Sequence, residues 1–175
     1  MCIRDREGDS LARVCEAKVI AEELGHALDS PSNLTFGIIT FYSGQVERIW
    51  EELRKLDLAV RGRDGEWGVN KAVPRLLNSK GAPRVRVGTV DAFQGREFDV
   101  VYLSTVRCPR PGQPSSNPYG FLVLPNRLNV AMSRQKKLLL VVGNSSLFST
   151  DDARTRVPAL AEFLSLTNGP DGYRA

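Results

Sequence analysis

The chain has 175 residues, of which 42% are hydrophobic and 25% charged, and a formal net charge of +4. That length fits one domain with a core of its own, and that composition excludes a disordered chain. The small positive charge permits an anionic partner such as nucleic acid without demanding one, and no apolar run approaches the roughly 18 residues of a membrane span.

Residues 1–9 fit no element and are set apart as an N-terminal extension whose Arg4-Asp5-Arg6-Glu7 segment is unlike a secretory signal. From Ser10 to Leu28, the residues Leu11, Val14, Val19, Ala21, Leu24 and Leu28 recur at helical intervals, predicting an amphipathic helix stopped by Ser30-Pro31-Ser32-Asn33. Thr35 to Thr40 has strand length and composition. A turn at Ser43-Gly44 leads to a second amphipathic helix through Val46, Ile49, Trp50, Leu53 and Leu56. Arg61-Gly62-Arg63-Asp64-Gly65 reads as a polar loop, and the region from there to Ala82 receives no element. Val85 to Val90 alternates like a strand, and Val100 to Val106 is a continuous apolar strand of the kind buried on both faces. Cys108 to Tyr119, with four prolines, reads as an exposed loop. A helix from about Asn126 to Ser133, a buried strand from Lys137 to Gly143 and a helix from Val157 to Leu166 follow, and residues 169–175 read as a flexible tail. Strands alternating with helices predict one α/β domain over residues 10–168, a parallel sheet with helices on both faces.

Cys2, Cys15 and Cys108 are odd in number, far apart and without histidines at ligand spacing. They predict neither a disulfide framework nor a metal site, and place the chain in a reducing, intracellular setting, cytoplasmic or nuclear. His26, the one histidine, sits in the first helix as a filler.

In open α/β sheets ligands bind beyond the carboxyl ends of the strands, where the sequence puts Thr40 to Gln45, Asp91 to Glu97 and Arg107. Gln94-Gly95-Arg96-Glu97 joins a glycine that admits a phosphate to a carboxylate that can accept ribose hydroxyls; taken alone it reads more readily as a plain β-turn. Arg127 and Arg134 lie seven residues apart, two helical turns, and are expected on nearly the same helix face. Arginine suits phosphate because its planar fork binds two oxygens and stays charged; the competing reading is a solvated basic face continued by Gln135-Lys136-Lys137. Nowhere does a Gly-x-x-x-x-Gly-Lys-Ser/Thr phosphate loop occur, nor an Asp-Glu pair after an apolar run to hold magnesium.

These segments occur together and in order. Gly37 to Gln45 resembles helicase motif IV, Thr89 to Asp99 resembles motif V, and Gly120-Phe121-Leu122 through Arg127 to Arg134 resembles motif VI. Over roughly Glu16 to Phe148 the chain is similar to the second RecA-like domain of superfamily 1 helicases of the RNA-surveillance and senataxin-like group. The resemblance implies a RecA-like sheet of the P-loop NTPase type that lacks its own phosphate-binding loop. It implies that Arg134 is the arginine finger, that Gln94, Gly95 and Glu97 bind ATP with Glu97 on the ribose, and that Thr40, Tyr42, Gln45, Thr89 and Arg107 face single-stranded RNA or DNA. Arg127 and Asn129 would anchor the motif VI helix. The partner would be the first RecA-like domain of the same enzyme, which would hold most of the Mg2+ site, so that the isolated domain binds ATP weakly and does not hydrolyse it. Translocation would run 5′ to 3′. The rival reading is a non-catalytic, helicase-derived module that binds nucleic acid or protein. The chain departs from the family at Phe41, where proline is usual, at Asn126, where an arginine often stands, and at Gln135, where alanine is common.

Overall fold

In the computed structural model, which describes residues 5–7, 10–30, 32–108, 117–170 and 172–173, the chain begins with an antiparallel pair, β1 (Asp5–Glu7) and β2 (Ser10–Ala12). The predicted first helix therefore starts later, as α1 (Val14–Asp29), because Ser10–Ala12 is drawn into extended pairing despite its helical spacing. Strand β3 (Phe36–Thr40) and helix α2 (Ser43–Lys55) follow as predicted. A hairpin, β4 (Ala59–Arg61) and β5 (Trp67–Val69), brackets the predicted polar loop, turned at Gly65 with φ 83°, and its second strand lies in the stretch that received no element. Trp67 stacks on Trp50 of α2 at 6.4 Å between ring centroids, and the Arg61 guanidinium lies 5.2 Å from the Trp67 ring.

After a 3-10 turn at Pro74–Leu76 come β6 (Val85–Thr89), a 3-10 turn at Val90–Phe93, β7 (Phe98–Ser104), a 3-10 turn at Gly120–Val123 and helix α3 (Pro125–Ala131). Strand β8 (Gln135–Val142) leads to α4 (Ser145–Phe148), α5 (Asp151–Arg156) and α6 (Pro158–Leu166). The proline-rich stretch predicted as a loop lies for the most part outside the described residues, as do residues 171, 174 and 175 of the predicted tail.

The four longer strands form one parallel sheet in the order β6-β3-β7-β8. Alternation along each strand divides the core. Phe36, Ile38, Val100 and Tyr102 pack with Ala17, Ile20 and Leu24 of α1 and Ile49 and Leu53 of α2. Ile39, Val101 and Leu103 pack on the other face with Phe93, Leu122, Leu128 and Leu160. Gly37 and Gly88 let the Val90–Phe93 turn lie flat on that second face, since a Cβ on Gly37 would come within 2.9 Å of the Phe98 ring and 3.0 Å of Phe93. The predicted buried strand near the C-terminus is corrected. β8 ends the sheet, and its Leu138 is 50% exposed, so its apolar run is an open edge rather than a doubly covered strand.

Cys15 is disulfide-bonded, where the cysteine spacing predicted no disulfide. Among the described residues no helix is long and apolar enough to cross a membrane, and no group of three His, Cys, Asp or Glu side chains is placed to hold a metal ion.

Candidate functional site

The register places Thr40 opposite both Thr89 and Ser104, and Ser104 opposite Val142, so the four carboxyl ends are level. Around them the side chains are enclosed. Thr40 is fully buried, Thr89 half-buried and Arg107 only 7% exposed. Arg107 donates from Nε to the Pro118 carbonyl at 2.7 Å and from Nη2 to the Asn117 carbonyl. Gly120, at φ 54°, closes the recess: a Cβ there would come within 2.5 Å of the Tyr42 hydroxyl and 2.9 Å of Arg107 Nη1. Among the described residues, Thr40 Oγ1, Thr105 Oγ1 and the Tyr42 hydroxyl are buried without a hydrogen-bond partner. An orphaned polar group of that kind costs about 1–3 kcal/mol, which a ligand oxygen can recover.

Gln45, also expected on this surface, lies beneath it. It is fully buried; its Oε1 accepts the Arg13 amide at 2.7 Å, and its Nε2 donates to the Arg13 carbonyl at 3.2 Å and to Ser104 Oγ at 3.0 Å.

Gln94, Gly95 and Glu97, expected to bind ATP, lie at the opposite end of the sheet. From the carboxyl end of β6 the Val90–Phe93 turn runs back over the sheet face, and Gln94 to Glu97 reach the amino end of β7. A five-residue strand separates the two edges by about 13 Å. The expectation that three segments converge on one edge is thus corrected: Thr40 to Gln45 and Arg107 do, and Gln94 to Glu97 do not. Gln94 (φ −58°, ψ 128°) and Gly95 (φ 74°), with the Arg96 amide donating to the Phe93 carbonyl at 3.1 Å, form a type II turn, whose third position favours glycine. All four residues Gln94 to Glu97 are exposed, and a Cβ on Gly95 would meet nothing within 4 Å.

Arg134 stands beside this turn, because its carbonyl accepts the Phe98 amide at 2.9 Å and Gln135 pairs with Phe98. Its side chain folds back on α3, donating from Nε to the Val130 carbonyl at 3.1 Å and from Nη2 to Ser133 Oγ at 2.8 Å. Helix α3 ends at Ala131, so Arg134 lies beyond it, and the expectation that Arg127 and Arg134 share a helix face is corrected. Exposed Glu97 is paired loosely with Lys136 at 3.7 Å. At the same edge Asp99 accepts the Thr35 amide at 2.9 Å and the Thr35 hydroxyl at 2.8 Å. Those bonds and nearby Lys137 hold its carboxyl below the usual range against the opposing effect of burial.

Arg127 ties the start of the Val90–Phe93 turn to the carboxyl edge. Its guanidinium pairs with the Asp91 carboxylate and lies 5.5 Å from the Phe121 ring, which in turn packs 5.4 Å from the Tyr42 ring. Asn129 is exposed, and among the described residues its side chain has no hydrogen bond. Sequence reasoning named Gly120, Phe121 and Asp91 only as members of their segments and gave them no individual role. The first two stood inside the motif VI segment and the third inside motif V, but only the fold gives them contacts.

The family described as an AAA domain matches residues 3–146. The chain is 35% identical, over 98% of its length, to the protein of Gallus gallus named helicase MOV-10. It is 33% identical over 83% of its length to RNA helicase Mov10l1 of Homo sapiens, and 35% identical over 80% to regulator of nonsense transcripts 1 of Dictyostelium discoideum. It spans 16%, 10% and 8% of those three proteins. With a parallel α/β sheet and these three motif segments in place, the chain belongs to this AAA-domain family, as a second RecA-like domain of the superfamily 1 helicases.

Proposed function

We propose that the chain is the second motor domain of an intracellular ATP-dependent nucleic-acid helicase, working against a first RecA-like domain. Its carboxyl edge takes the phosphate backbone of a single strand through Thr40, Tyr42, Thr89 and Arg107, groups that hold phosphate without reading sequence. Gln45 supports that surface from below. RNA is the first substrate to test, because one relative is named an RNA helicase.

At the amino edge, Gly95 and Gln94 give the nucleotide an open backbone turn, Glu97 accepts its ribose hydroxyls, and Arg134 neutralises charge on the transferring phosphoryl group. Magnesium, held mainly by the first domain, would supply the remaining charge neutralisation when bound. Arg134 reaches that position by leaving Val130 and Ser133, both weak anchors at a partly exposed site. Opening and closing of the interdomain cleft then moves the strand, 5′ to 3′.

The observation that carries this reading is that one short segment, Val90 to Glu97, joins the two edges, with Asp91 held by Arg127 at one end and Gly95 beside Arg134 at the other. In the polypeptide that includes the first domain, Arg134→Ala is expected to lower strand-stimulated ATP hydrolysis by about 10³-fold or more, with nucleotide affinity nearly kept. Unchanged hydrolysis would favour the rival, a non-catalytic binding module, for which the folded-back pose of Arg134 is the supporting observation.

A further inference from the structure

Below the carboxyl edge lies a polar network whose centre, Glu16, has no part in the proposed strand surface. Glu16 of α1, 3% exposed, accepts Arg13 Nη1 at 3.1 Å through Oε1. Its Oε2 accepts Ser104 Oγ at 2.7 Å and the Val106 amide at 2.9 Å. Ser104 also receives Gln45, and Gln45 clasps the Arg13 backbone, so α2 is tied through Ser104 to the carboxylate that links α1 to the end of β7. Val106 itself is left-handed, at φ 63°. A β-branched residue there costs about 1–3 kcal/mol and persists only where its surroundings impose it.

Two features argue that the network does more than fill the core. A buried ion pair is replaceable by apolar side chains with little loss of stability, so it is weak as a stabiliser. Burial pushes the Glu16 carboxyl above its ordinary range, while Ser104, the Val106 amide and Arg13 pull it back. The strain it holds sits one residue before Arg107, whose direction depends on Val106. We propose that Glu16 is a positioning residue: by gripping the Val106 amide it fixes the left-handed turn that carries Arg107 into the recess between Tyr42 and Gly120. This deepens the proposed function and rests on Arg107 facing the strand.

The test uses the whole chain with Glu16→Gln, Arg107→Ala and the double variant. Binding is measured by anisotropy of a fluorescein-labelled oligouridylate of about 15 nucleotides across a salt series. Glu16→Gln is expected to weaken binding several-fold and to lower the salt slope by about 0.7, one phosphate contact on a single strand. Both effects should vanish in the Arg107→Ala background. Equal weakening in both backgrounds, or wild-type affinity and slope in folded Glu16→Gln, overturns the proposal. Should Glu16→Gln fail to fold, Ser104→Ala, which removes the hydroxyl contact to Glu16, replaces it in the same cycle. If Arg107→Ala alone leaves binding unchanged, the strand-facing reading of Arg107 fails, and amide exchange decides the grip separately. Faster exchange at Val106 and Arg107 than at Ile38 in Glu16→Gln keeps it, and unchanged exchange removes it.

Discussion

At the carboxyl edge Thr40, Gln45, Ser104 and Arg107 are all at most 7% exposed, whereas at the amino edge Gln94, Gly95, Arg96 and Glu97 all face solvent. The first edge has its geometry built in: Gly120, the Pro118 carbonyl and the Ser104 network define where each polar group sits. The second has a turn whose backbone is set and whose side chains are not. A buried polar group is oriented before its ligand arrives, while an exposed one must be ordered by the surface that closes over it. Under the proposed function, strand binding is therefore expected of this domain by itself, and nucleotide chemistry only of the two domains together.

Two glycines with positive φ offer the most direct way to break that contrast. Gly120→Ala adds a Cβ against Tyr42 and Arg107 on top of the left-handed strain, and is expected to destabilise the chain by about 2–4 kcal/mol and to abolish most strand binding. Gly95→Ala meets open space, so only the strain remains, about 1–2 kcal/mol. Urea unfolding of both variants checks the difference, and equal losses would deny that the two edges differ in packing.

A smaller effect sharpens the description of the amino edge, where Asp99 ties the start of β7 to Thr35. Asp99→Asn is expected to cost about 1–2 kcal/mol near neutral pH. Because the folded carboxyl is held below its unfolded value, its contribution is full above the unfolded pKa, near 4, and is lost as pH falls through the folded value. Wild type and variant should converge in thermal melts once the pH has fallen through that folded value. Arg127→Ala comes next, at about 1 kcal/mol for a partly exposed ion pair and a cation–π contact. Its larger consequence is expected in coupling, as weaker stimulation of ATP hydrolysis by the strand.

The doubly wound sheet was legible because β3 and β7 are continuous apolar runs of strand length, buried in the middle of the sheet. β8 carries a similar run, yet its place at the edge depends on strand order, which composition does not encode. The β4–β5 hairpin was missed although Asp64-Gly65 signals its turn, since its strands are three residues each and find their stability in the Trp50–Trp67 stack. Motif order singled out the candidate site residues but not their separation. Val90 to Glu97 reads as a segment following a strand, and only the 3-10 turn lying over Gly37 and Gly88 carries it to the far edge. Gln45 illustrates a second limit. A glutamine in a motif is legible as polar, but whether it points outward or clasps Arg13 is decided by a residue just before α1, 32 positions earlier.

The smallest expected change in stability is the sharpest probe of the exposed edge. Glu97 makes one long ion pair, to Lys136 at 3.7 Å, with both side chains more than half exposed, and such pairs contribute close to nothing. Glu97→Gln should leave the melting midpoint within about 1–2 °C of wild type. In the polypeptide that includes the first domain it should nonetheless weaken nucleotide affinity roughly tenfold, the loss of one charge-assisted hydrogen bond. Calorimetric titration with a non-hydrolysable ATP analogue measures this. A variant both as stable and as tight-binding as wild type would remove Glu97 from the nucleotide site and leave Gly95 and Arg134 to carry it. A large loss of stability would instead mean that the exposed carboxylate is braced in a way its 3.7 Å contact does not account for, and the amino edge would be as preorganised as the carboxyl one.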